Sequence, residues 1–275
     1  MTGALTGATR VAGIIGDPVE HSRSPAIWNA AFRACNLDWV FVAFPVPSGG
    51  AAAAVSGMRT LGIAALTVTM PHKADAAAAC DELSATAAKL GAVNAISNHG
   101  SRLIGDSTDG EGFVRSLAAE TVDPAGRRCL VLGAGGAGRA IALALGRAGA
   151  EVVVAARRVA AADDAAVLAP AGRGVALADV ERELATIDVL VNATPLGMAG
   201  EPPPFSVERL APDAVVADTV YHPGETPLLA AAHARGLRCI GGIGMLVHQA
   251  AISFRTFTGV DAPLAAMQAA AAGDA

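Results

Sequence analysis

Residues 130–139 read LVLGAGGAGR, and this stretch decides the fold class. Gly133, Gly135 and Gly138 have the spacing G-x-G-x-x-G, between an apolar strand predicted at 128–132 and a helix predicted at 138–148. In that context the glycines permit a tight turn, close approach of a pyrophosphate to the backbone, and close packing of helix on strand. The helix N-terminus directs its free N–H groups toward the phosphates. We therefore predict a dinucleotide site rather than a merely glycine-rich turn.

Strands and helices are predicted to alternate on both sides of this stretch. Apolar runs bounded by turn residues predict further strands at 10–16, 40–46, 64–69, 92–97, 102–105, 151–155, 188–193 and 214–218. Helices are predicted between them, among them one in which Ser24 is the N-cap and Pro25 the first helical residue. Such alternation indicates βαβ units and a parallel sheet.

The order of these elements predicts an α/β fold with two domains. The first is an N-terminal α/β substrate domain at 1–109, completed by C-terminal helices at 245–275. The second is a Rossmann-like dinucleotide-binding domain at 110–244. A chain of 275 residues is long enough for two hydrophobic cores.

Composition excludes several classes of protein. Hydrophobic residues make up 53% of the chain and charged residues 16%, which argues against disorder. The formal net charge of -5 argues against nucleic acid as the main partner. The four cysteines are scattered, so we predict reduced thiols and no metal site. Neither a signal peptide nor a membrane span is predicted, and we expect a cytoplasmic protein.

The end of the strand after the glycines indicates which dinucleotide binds. NAD sites usually place an acidic residue about 20 residues after the first glycine. Here Arg157 and Arg158 take that place, and Asp163 is the first acid after them. Two guanidinium groups suit the 2′-phosphate of NADP by charge and by paired hydrogen bonds. We therefore predict NADP; the alternative is a pair of solvated surface arginines.

Lysine is rare in this chain. Lys73 and Lys89 are the only lysines among 20 basic residues. An ammonium group can transfer a proton, whereas a guanidinium effectively never deprotonates. Lys73 also follows a strand that ends at Pro71. We therefore favour a catalytic role for Lys73 over a solvated lysine at a helix start.

Polar motifs occur in a characteristic order along the chain. They are HSRSP at 21–25, TVTMPHK at 67–73, GAVN at 91–94, GDSTDG at 105–110, NATPLGM at 192–198 and GMLVHQ at 244–249. With the glycine stretch in its place among them, the chain resembles the shikimate dehydrogenase family over essentially its whole length. The resemblance implies the reversible reduction of 3-dehydroshikimate to shikimate by NADPH, a step in the biosynthesis of aromatic amino acids.

The resemblance also implies roles for particular residues, in a cleft between the two domains. Lys73 and Asp109 are the implied catalytic pair. The implied substrate ligands are Ser22, Ser24 and Tyr221 for the carboxylate, and Thr69, Asn94, Asp109 and Gln249 for the ring hydroxyls. The implied cofactor contacts are Gly133, Ala134, Gly135, Gly136, Ala137, Gly138, Arg157, Arg158, Asn192, Thr194, Pro195, Gly242 and Met245. A monomer or homodimer is expected, without nucleic acid or membrane partners.

The chain departs from the family pattern at a few positions, and alternatives remain. Thr67 stands where the family often has Asn, His72 where it has an apolar residue, and residues 156–158 replace the usual N-R-T. Relatives in this family also act on quinate or aminoshikimate, and some use NAD. A third possibility is a regulator that binds shikimate or a dinucleotide without catalysis. The presence of both Lys73 and Asp109 argues against it, because a pure binder needs no proton donor.

Overall fold

A computed structural model describes residues 5–100 and 102–273. The chain divides into two compact units. The first runs to Thr108 and resumes at Leu246, and the second is Asp109–Met245. Among the described residues, no helix combines the length and the apolar character that a membrane span requires.

The first unit contains a mixed sheet. Its strands are β1 (Arg10–Gly16), β2 (Trp39–Pro45), β3 (Ala65–Val68), β4 (Glu82–Leu83), β5 (Ala95–His99) and β6 (Arg102–Asp106). They lie in the order β2-β1-β3-β5-β6-β4. The strands β1, β2 and β3 pair in parallel, while β5 is antiparallel to both β3 and β6. The carboxyl ends of β1, β2 and β3 therefore lie at one edge of the sheet.

Helices pack against this sheet. They are α1 (Ser24–Ala34), α2 (Ala51–Leu61), α3 (Lys73–Ala78) and α4 (Ala85–Leu90), with α10 (Gly242–Thr258) and α11 (Leu264–Ala272) from the C-terminal end of the chain. Trp28 of α1 is fully buried and stacks on Phe41 of β2, with ring centroids 5.0 Å apart. The ring of Phe254, in α10, lies 5.8 Å from that of Trp28. These aromatic contacts attach α10 to the core of the first unit.

The second unit contains a fully parallel sheet. Its strands are β7 (Arg128–Leu132), β8 (Glu151–Ala156), β9 (Arg173–Ala176), β10 (Val189–Asn192), β11 (Val215–Asp218) and β12 (Arg238–Ile240). Their order is β12-β11-β10-β7-β8-β9, and every pair is parallel. This is the doubly wound order, in which the chain reverses direction across the sheet between β7 and β10. Ligands of such sheets bind beyond the carboxyl ends of the strands at that point.

Helices cover both faces of the second sheet. They are α5 (Asp109–Ala119), α6 (Gly136–Arg147), α7 (Val159–Ala166), α8 (Val180–Glu183) and α9 (Pro227–Ala234). Val131 of β7 packs in one core cluster with Ile141 of α6, whereas Leu130 packs in a second cluster with Leu228 of α9. Successive side chains of a strand point to opposite faces. A strand that is covered on both faces therefore reads as an unbroken apolar run.

The structure confirms the predicted α/β class and corrects several details. The helix after the glycine stretch begins at Gly136 rather than Gly138, because the Arg139 N–H already closes a turn on the Gly135 carbonyl at 2.9 Å. The N-cap of α1 is Arg23 rather than Ser24, and no side chain caps this helix. Three strands were not predicted: β4, β9 and β12. With two and three residues, β4 and β12 are too short for a hydrophobic pattern, and β9 begins with Arg and Gly and is only half-buried, so it has no apolar run.

Candidate functional site

The glycine stretch forms the turn between β7 and α6. Gly133 has φ +105°, a conformation that L side chains rarely adopt, and its N–H donates to the Ala155 carbonyl at 2.8 Å. A Cβ on Gly133 would lie 2.8 Å from the Ala193 carbonyl oxygen. A Cβ on Gly138 would lie only 2.0 Å from the Gly133 carbonyl oxygen. The backbone conformation and close packing of the protein therefore require glycine at both positions, independently of any ligand.

The presence of glycine at position 135 has a different explanation from that at positions 133 and 138. Its backbone is extended, with φ -79° and ψ -174°, which any residue can adopt. A Cβ built on Gly135 would have no described heavy atom of the protein within 4 Å. Neither conformation nor protein packing therefore requires glycine there. A ligand that approaches the backbone closely supplies the missing reason, as expected for a pyrophosphate at the N-terminus of α6. On this observation the turn fits a dinucleotide.

Arg157 and Arg158 lie just beyond β8, next to this turn. Both side chains are exposed and immediately precede α7. The hydrogen bond from the Gly133 N–H to the Ala155 carbonyl fixes the glycine turn beside the end of β8. Two cations that follow the second strand of the doubly wound sheet are placed where the adenosine end of a dinucleotide binds.

The NATPLGM segment begins at the end of β10, across the reversal point from the glycine turn. Asn192 is buried, and its Oδ1 accepts hydrogen bonds from the N–H of Thr194 at 3.1 Å and from its Oγ1 at 2.6 Å. Asn192 Nδ2 donates to the Leu196 carbonyl at 3.1 Å. Pro195 is exposed on this turn. The close approach of Gly133 to Ala193 brings the two turns into contact.

Asp218, at the end of β11, holds the start of the same segment through hydrogen bonds. Its Oδ1 accepts hydrogen bonds from Asn192 Nδ2 and from the Val220 N–H, each at 2.9 Å. Its Oδ2 accepts from Thr226 Oγ1 at 2.7 Å. Asp218 is only 2% exposed. Burial raises the pKa of this carboxyl group, although the three hydrogen bonds oppose that shift.

Four other predicted residues belong to the second unit. Asp109 is buried at the first position of α5, and Tyr221 is half-buried, three residues beyond β11. Gly242 begins α10, and a Cβ there would lie 2.3 Å from the Thr219 carbonyl oxygen. Met245 packs in a hydrophobic cluster of the second unit and is 9% exposed.

In the first unit, a buried polar cluster joins Asn94, Thr108 and Gln249. Asn94 Nδ2 donates to Gln249 Oε1 at 3.0 Å, and Asn94 Oδ1 accepts the Thr108 N–H at 2.7 Å. The Thr108 hydroxyl also lies 3.1 Å from Ser253 Oγ. Two predicted substrate ligands, Asn94 and Gln249, are therefore in contact although 155 residues separate them in sequence.

The other predicted residues of the first unit lie where strands end and helices begin. Ser24 opens α1, and its N–H donates to Ser22 Oγ at 3.2 Å. The Thr69 N–H donates to the Ile15 carbonyl at 3.0 Å, just beyond β3. Lys73 is the first residue of α3, and its carbonyl accepts the Val93 N–H at 3.0 Å. This bond places the backbone of Lys73 next to Asn94.

Sequence reasoning missed two residues that hold this site together. The sequence predicts no role for Thr108 within GDSTDG, and it predicts Asp218 only as the last residue of a strand. Their one sequence signal is a polar residue at the end of an apolar run, which is also typical of ordinary turns. The partners that make them informative lie on other elements, so a single sequence does not identify them.

Two of the cysteine thiols are buried or half-buried, and burial changes their pKa values. Burial raises the pKa of the Cys129 thiol to about 12 and that of the Cys80 thiol to about 11. Both thiols stay protonated near neutral pH, which makes them poor nucleophiles and metal ligands. Within the described ranges, no group of three His, Cys, Asp or Glu side chains could hold a metal ion.

Two family models match this chain. One, described as the shikimate dehydrogenase substrate binding domain, matches residues 14–96. The other, described as the shikimate 5'-dehydrogenase C-terminal domain, matches residues 242–272. The two matches lie at the two ends of the chain.

Similar proteins match nearly the whole chain. A shikimate dehydrogenase (NADP(+)) of Geobacter metallireducens is 45% identical over 94% of this chain and 94% of its own length. One of Methanopyrus kandleri is 43% identical over 95% of this chain and 94% of its own. A crystal structure of shikimate 5-dehydrogenase from Thermus thermophilus, in complex with NADP(H) and shikimate, has a TM-score of 0.87 and 34% identity. That alignment covers 95% of this chain and 98% of the other.

Proposed function

Because the chain belongs to the shikimate dehydrogenase family, we propose that it catalyses the reversible, NADPH-dependent reduction of 3-dehydroshikimate to shikimate. It is then an NADP-dependent oxidoreductase that acts on a CH–OH group. The observation that supports this most strongly is the similarity over 94% of the chain to enzymes of that name. The glycine turn and the Asn94 cluster support it independently, since each is a local structure suited to one of the two ligands.

Substrate binding is assigned to the first unit together with Asp109 and Tyr221 of the second unit. Ser22, Ser24 and Tyr221 bind the carboxylate of shikimate through hydroxyl groups. The ring hydroxyls are bound by Thr69, Asn94, Asp109 and Gln249. A substrate with several hydroxyls needs donors and acceptors of fixed orientation. The cluster of Asn94, Thr108 and Gln249 meets this need because each amide already has a hydrogen-bond partner.

Lys73 and Asp109 are the proposed catalytic pair. When a ketone is reduced, negative charge develops on its oxygen, and a nearby cation or acid stabilises that charge. The Lys73 ammonium group does so and donates the proton that completes the alcohol. Asp109 accepts a hydrogen bond from the adjacent ring hydroxyl and orients the ammonium group. In the oxidation direction the same lysine, in its neutral form, takes the proton.

NADP binding is assigned to the second unit. The cofactor supplies or accepts the hydride when it is bound. The backbone at Gly133–Gly138 binds its pyrophosphate, and Arg157 and Arg158 bind its 2′-phosphate. The segment that begins with Asn192, Thr194 and Pro195 faces the nicotinamide, together with Gly242 and Met245. The three cofactor groups are thereby assigned to four chain segments, which follow the carboxyl ends of β7, β8, β10 and β12.

The alternatives are not favoured by the comparisons. The relatives described above carry the name shikimate dehydrogenase with NADP(+), not quinate dehydrogenase. A regulator without catalysis would not need Lys73 and Asp109. A cytoplasmic location and a monomeric or dimeric state stay predictions.

The direct test is oxidation of shikimate by NADP⁺ with purified protein, followed by the absorbance of NADPH. We expect one NADPH for each shikimate consumed, and a product two hydrogens lighter by mass spectrometry. NADPH formation without that product would contradict the proposal. So would a protein that binds shikimate but does not turn it over.

A further inference from the structure

Asp218 is a buried carboxylate that the proposed reaction does not use. It is 2% exposed and lies at the carboxyl end of β11, beside the end of β10. Its hydrogen-bond partners come from three segments: Asn192, Val220 and Thr226. Burial of an ionisable group costs free energy unless the group is fully hydrogen-bonded, so the role of the Asp218 carboxylate lies in its hydrogen-bond partners.

The carboxylate, together with Thr194 and the Leu196 carbonyl, fixes which way the Asn192 amide faces. An ionised carboxylate only accepts hydrogen bonds, so the Nδ2 group of Asn192 must face Asp218. Oδ1 of Asn192 then faces Thr194, where it accepts both the backbone N–H and the hydroxyl. A flipped amide would place Nδ2 against the Thr194 N–H and Oδ1 against the Leu196 carbonyl. Both new contacts would be repulsive.

The turn that begins at Asn192 is fixed at further points. Gly197 has φ +93°, and a Cβ on it would lie 3.1 Å from Thr226 Cβ. The Gly197 N–H donates to Glu201 Oε2 at 3.0 Å. Hydrogen bonding to the backbone lowers the pKa of Glu201. Carboxylates therefore hold both ends of the turn: Asp218 through Asn192, and Glu201 through Gly197.

We infer that Asp218 is a positioning residue for hydride transfer, acting through the orientation of Asn192 on the turn at 192–197. The kinetic part of this inference rests on the proposed function. The turn contacts the glycine stretch through Ala193, at the reversal point of the sheet. The Val220 N–H that Asp218 accepts comes one residue before Tyr221, so the same carboxylate also restrains the segment that carries this proposed substrate ligand.

The variants separate positioning from stability. Asp218→Ala removes the carboxylate acceptor of Asn192 Nδ2 and leaves the Leu196 carbonyl as its acceptor. Thr226→Val, of nearly equal volume, removes the donor to Oδ2 and the cap of α9 but leaves the contact between Asp218 and Asn192 in place. Asp188→Ala is a control for loss of an aspartate away from the turn: Asp188 is exposed, precedes β10 and accepts the Arg128 N–H at 2.7 Å.

Turnover is measured for all three variants with NADPH and with NADPH deuterated at the transferred position, alongside thermal unfolding. We expect Asp218→Ala to lower kcat about 10- to 100-fold, because a small misplacement of the reacting groups costs that much. The isotope effect on kcat should rise, since hydride transfer becomes slower relative to product release. Thr226→Val and Asp188→Ala should keep kcat within about threefold of wild type, a change of less than about 1 kcal/mol.

A merely structural role would lower the amount of folded protein and leave the isotope effect unchanged. The inference is overturned if Asp218→Ala keeps wild-type kcat and isotope effect, or if Thr226→Val loses as much turnover. If Asp218→Ala does not fold, Asp218→Leu, which has a similar length and no acceptor, replaces it, and an unchanged kcat would overturn the inference equally. If wild type turns over no shikimate, the proposed function fails instead. In that case the affinity for NADPH tests the inference. The Asp218→Ala variant must bind NADPH more weakly than the Asp188→Ala variant does, and equal affinities overturn the inference.

Discussion

At the scale of single residues, Lys73 carries the proposed proton transfer. It is half-buried at the first position of α3, and its carbonyl is bonded to the segment that carries Asn94. Lys73→Ala should lower kcat about 10²- to 10⁴-fold, the usual contribution of a positioned acid or base. NADPH affinity should stay nearly unchanged, because the proposed phosphate and nicotinamide contacts belong to other residues.

Lys73→Arg is the matched control for charge. It keeps a cation but replaces the proton donor with a group that effectively never deprotonates. We expect it to bind shikimate better than Lys73→Ala while remaining strongly impaired in turnover. Comparison of kcat and of shikimate affinity for the two variants checks this. A large loss of NADPH affinity in either variant would show that Lys73 serves cofactor binding rather than catalysis.

Arg157 and Arg158 are the residues proposed to give the preference for NADP. Replacement of both by Ala should raise KM for NADP about 10- to 100-fold, since hydrogen bonds to charged groups contribute about 1.5–3 kcal/mol. KM for NAD should change little, because NAD lacks the 2′-phosphate. Arg209→Ala, at an exposed arginine elsewhere in the second unit, is the control. An equal effect on both nucleotides would argue that Arg157 and Arg158 are ordinary surface residues.

At the scale of elements, patterned segments could be predicted from the sequence and short ones could not. The strands at 10–16 and 128–132 have the predicted bounds, because each has an apolar pattern with a clear turn at its end. The strands β4, β9 and β12 pair only at the edges of their sheets. Their formation depends on a neighbouring strand rather than on their own few residues.

Within the site, contiguous residues could likewise be predicted and scattered residues could not. The glycine turn could be predicted, because the residues that suit its proposed ligand form one contiguous stretch of sequence. The cluster of Asn94, Thr108 and Gln249 could not, because its members lie on segments far apart in sequence. The same holds for Asp218, whose role depends on partners from three other segments.

Asp81 links two elements of the first unit and gives a pH-dependent prediction. It accepts the Leu103 N–H of β6 at 2.7 Å and forms an ion pair with Arg59 of α2. The Leu103 hydrogen bond, followed by Arg59, lowers the pKa of Asp81. The folded state therefore binds this proton less tightly than the unfolded state, so the contribution of Asp81 to stability is present above its unfolded pKa. It is lost as the pH falls through the lower, folded value.

Thermal or urea unfolding of Asp81→Asn across acidic pH checks this expectation. The variant should be less stable than wild type at neutral pH, and the difference should narrow as the pH falls below about 4, where unfolded Asp protonates. Asp213→Asn, at an exposed position of the second unit, should follow wild type throughout. A difference that is independent of pH would assign the effect of Asp81 to packing rather than to its charge.

At the scale of the whole molecule, the proposed function needs residues from both compact units. Lys73, Asn94 and Gln249 belong to the first, and Asp109 and the glycine turn to the second. The first unit is itself completed by the last part of the chain, through the packing of Phe254 on Trp28. The similarity to the relatives extends over this same length, so activity is a property of the whole chain and not of one motif.

The measurement that tests the central claim most directly is kcat/KM for four pairs: shikimate or quinate, each with NADP⁺ or NAD⁺. We predict that the pair of shikimate and NADP⁺ exceeds every other. Its advantage over shikimate and NAD⁺ should be at least about tenfold, the equivalent of about 1.4 kcal/mol from the two arginines. A quinate pair or an NAD⁺ pair that equals or exceeds it would contradict the assignment and place the protein among the broader quinate and shikimate dehydrogenases.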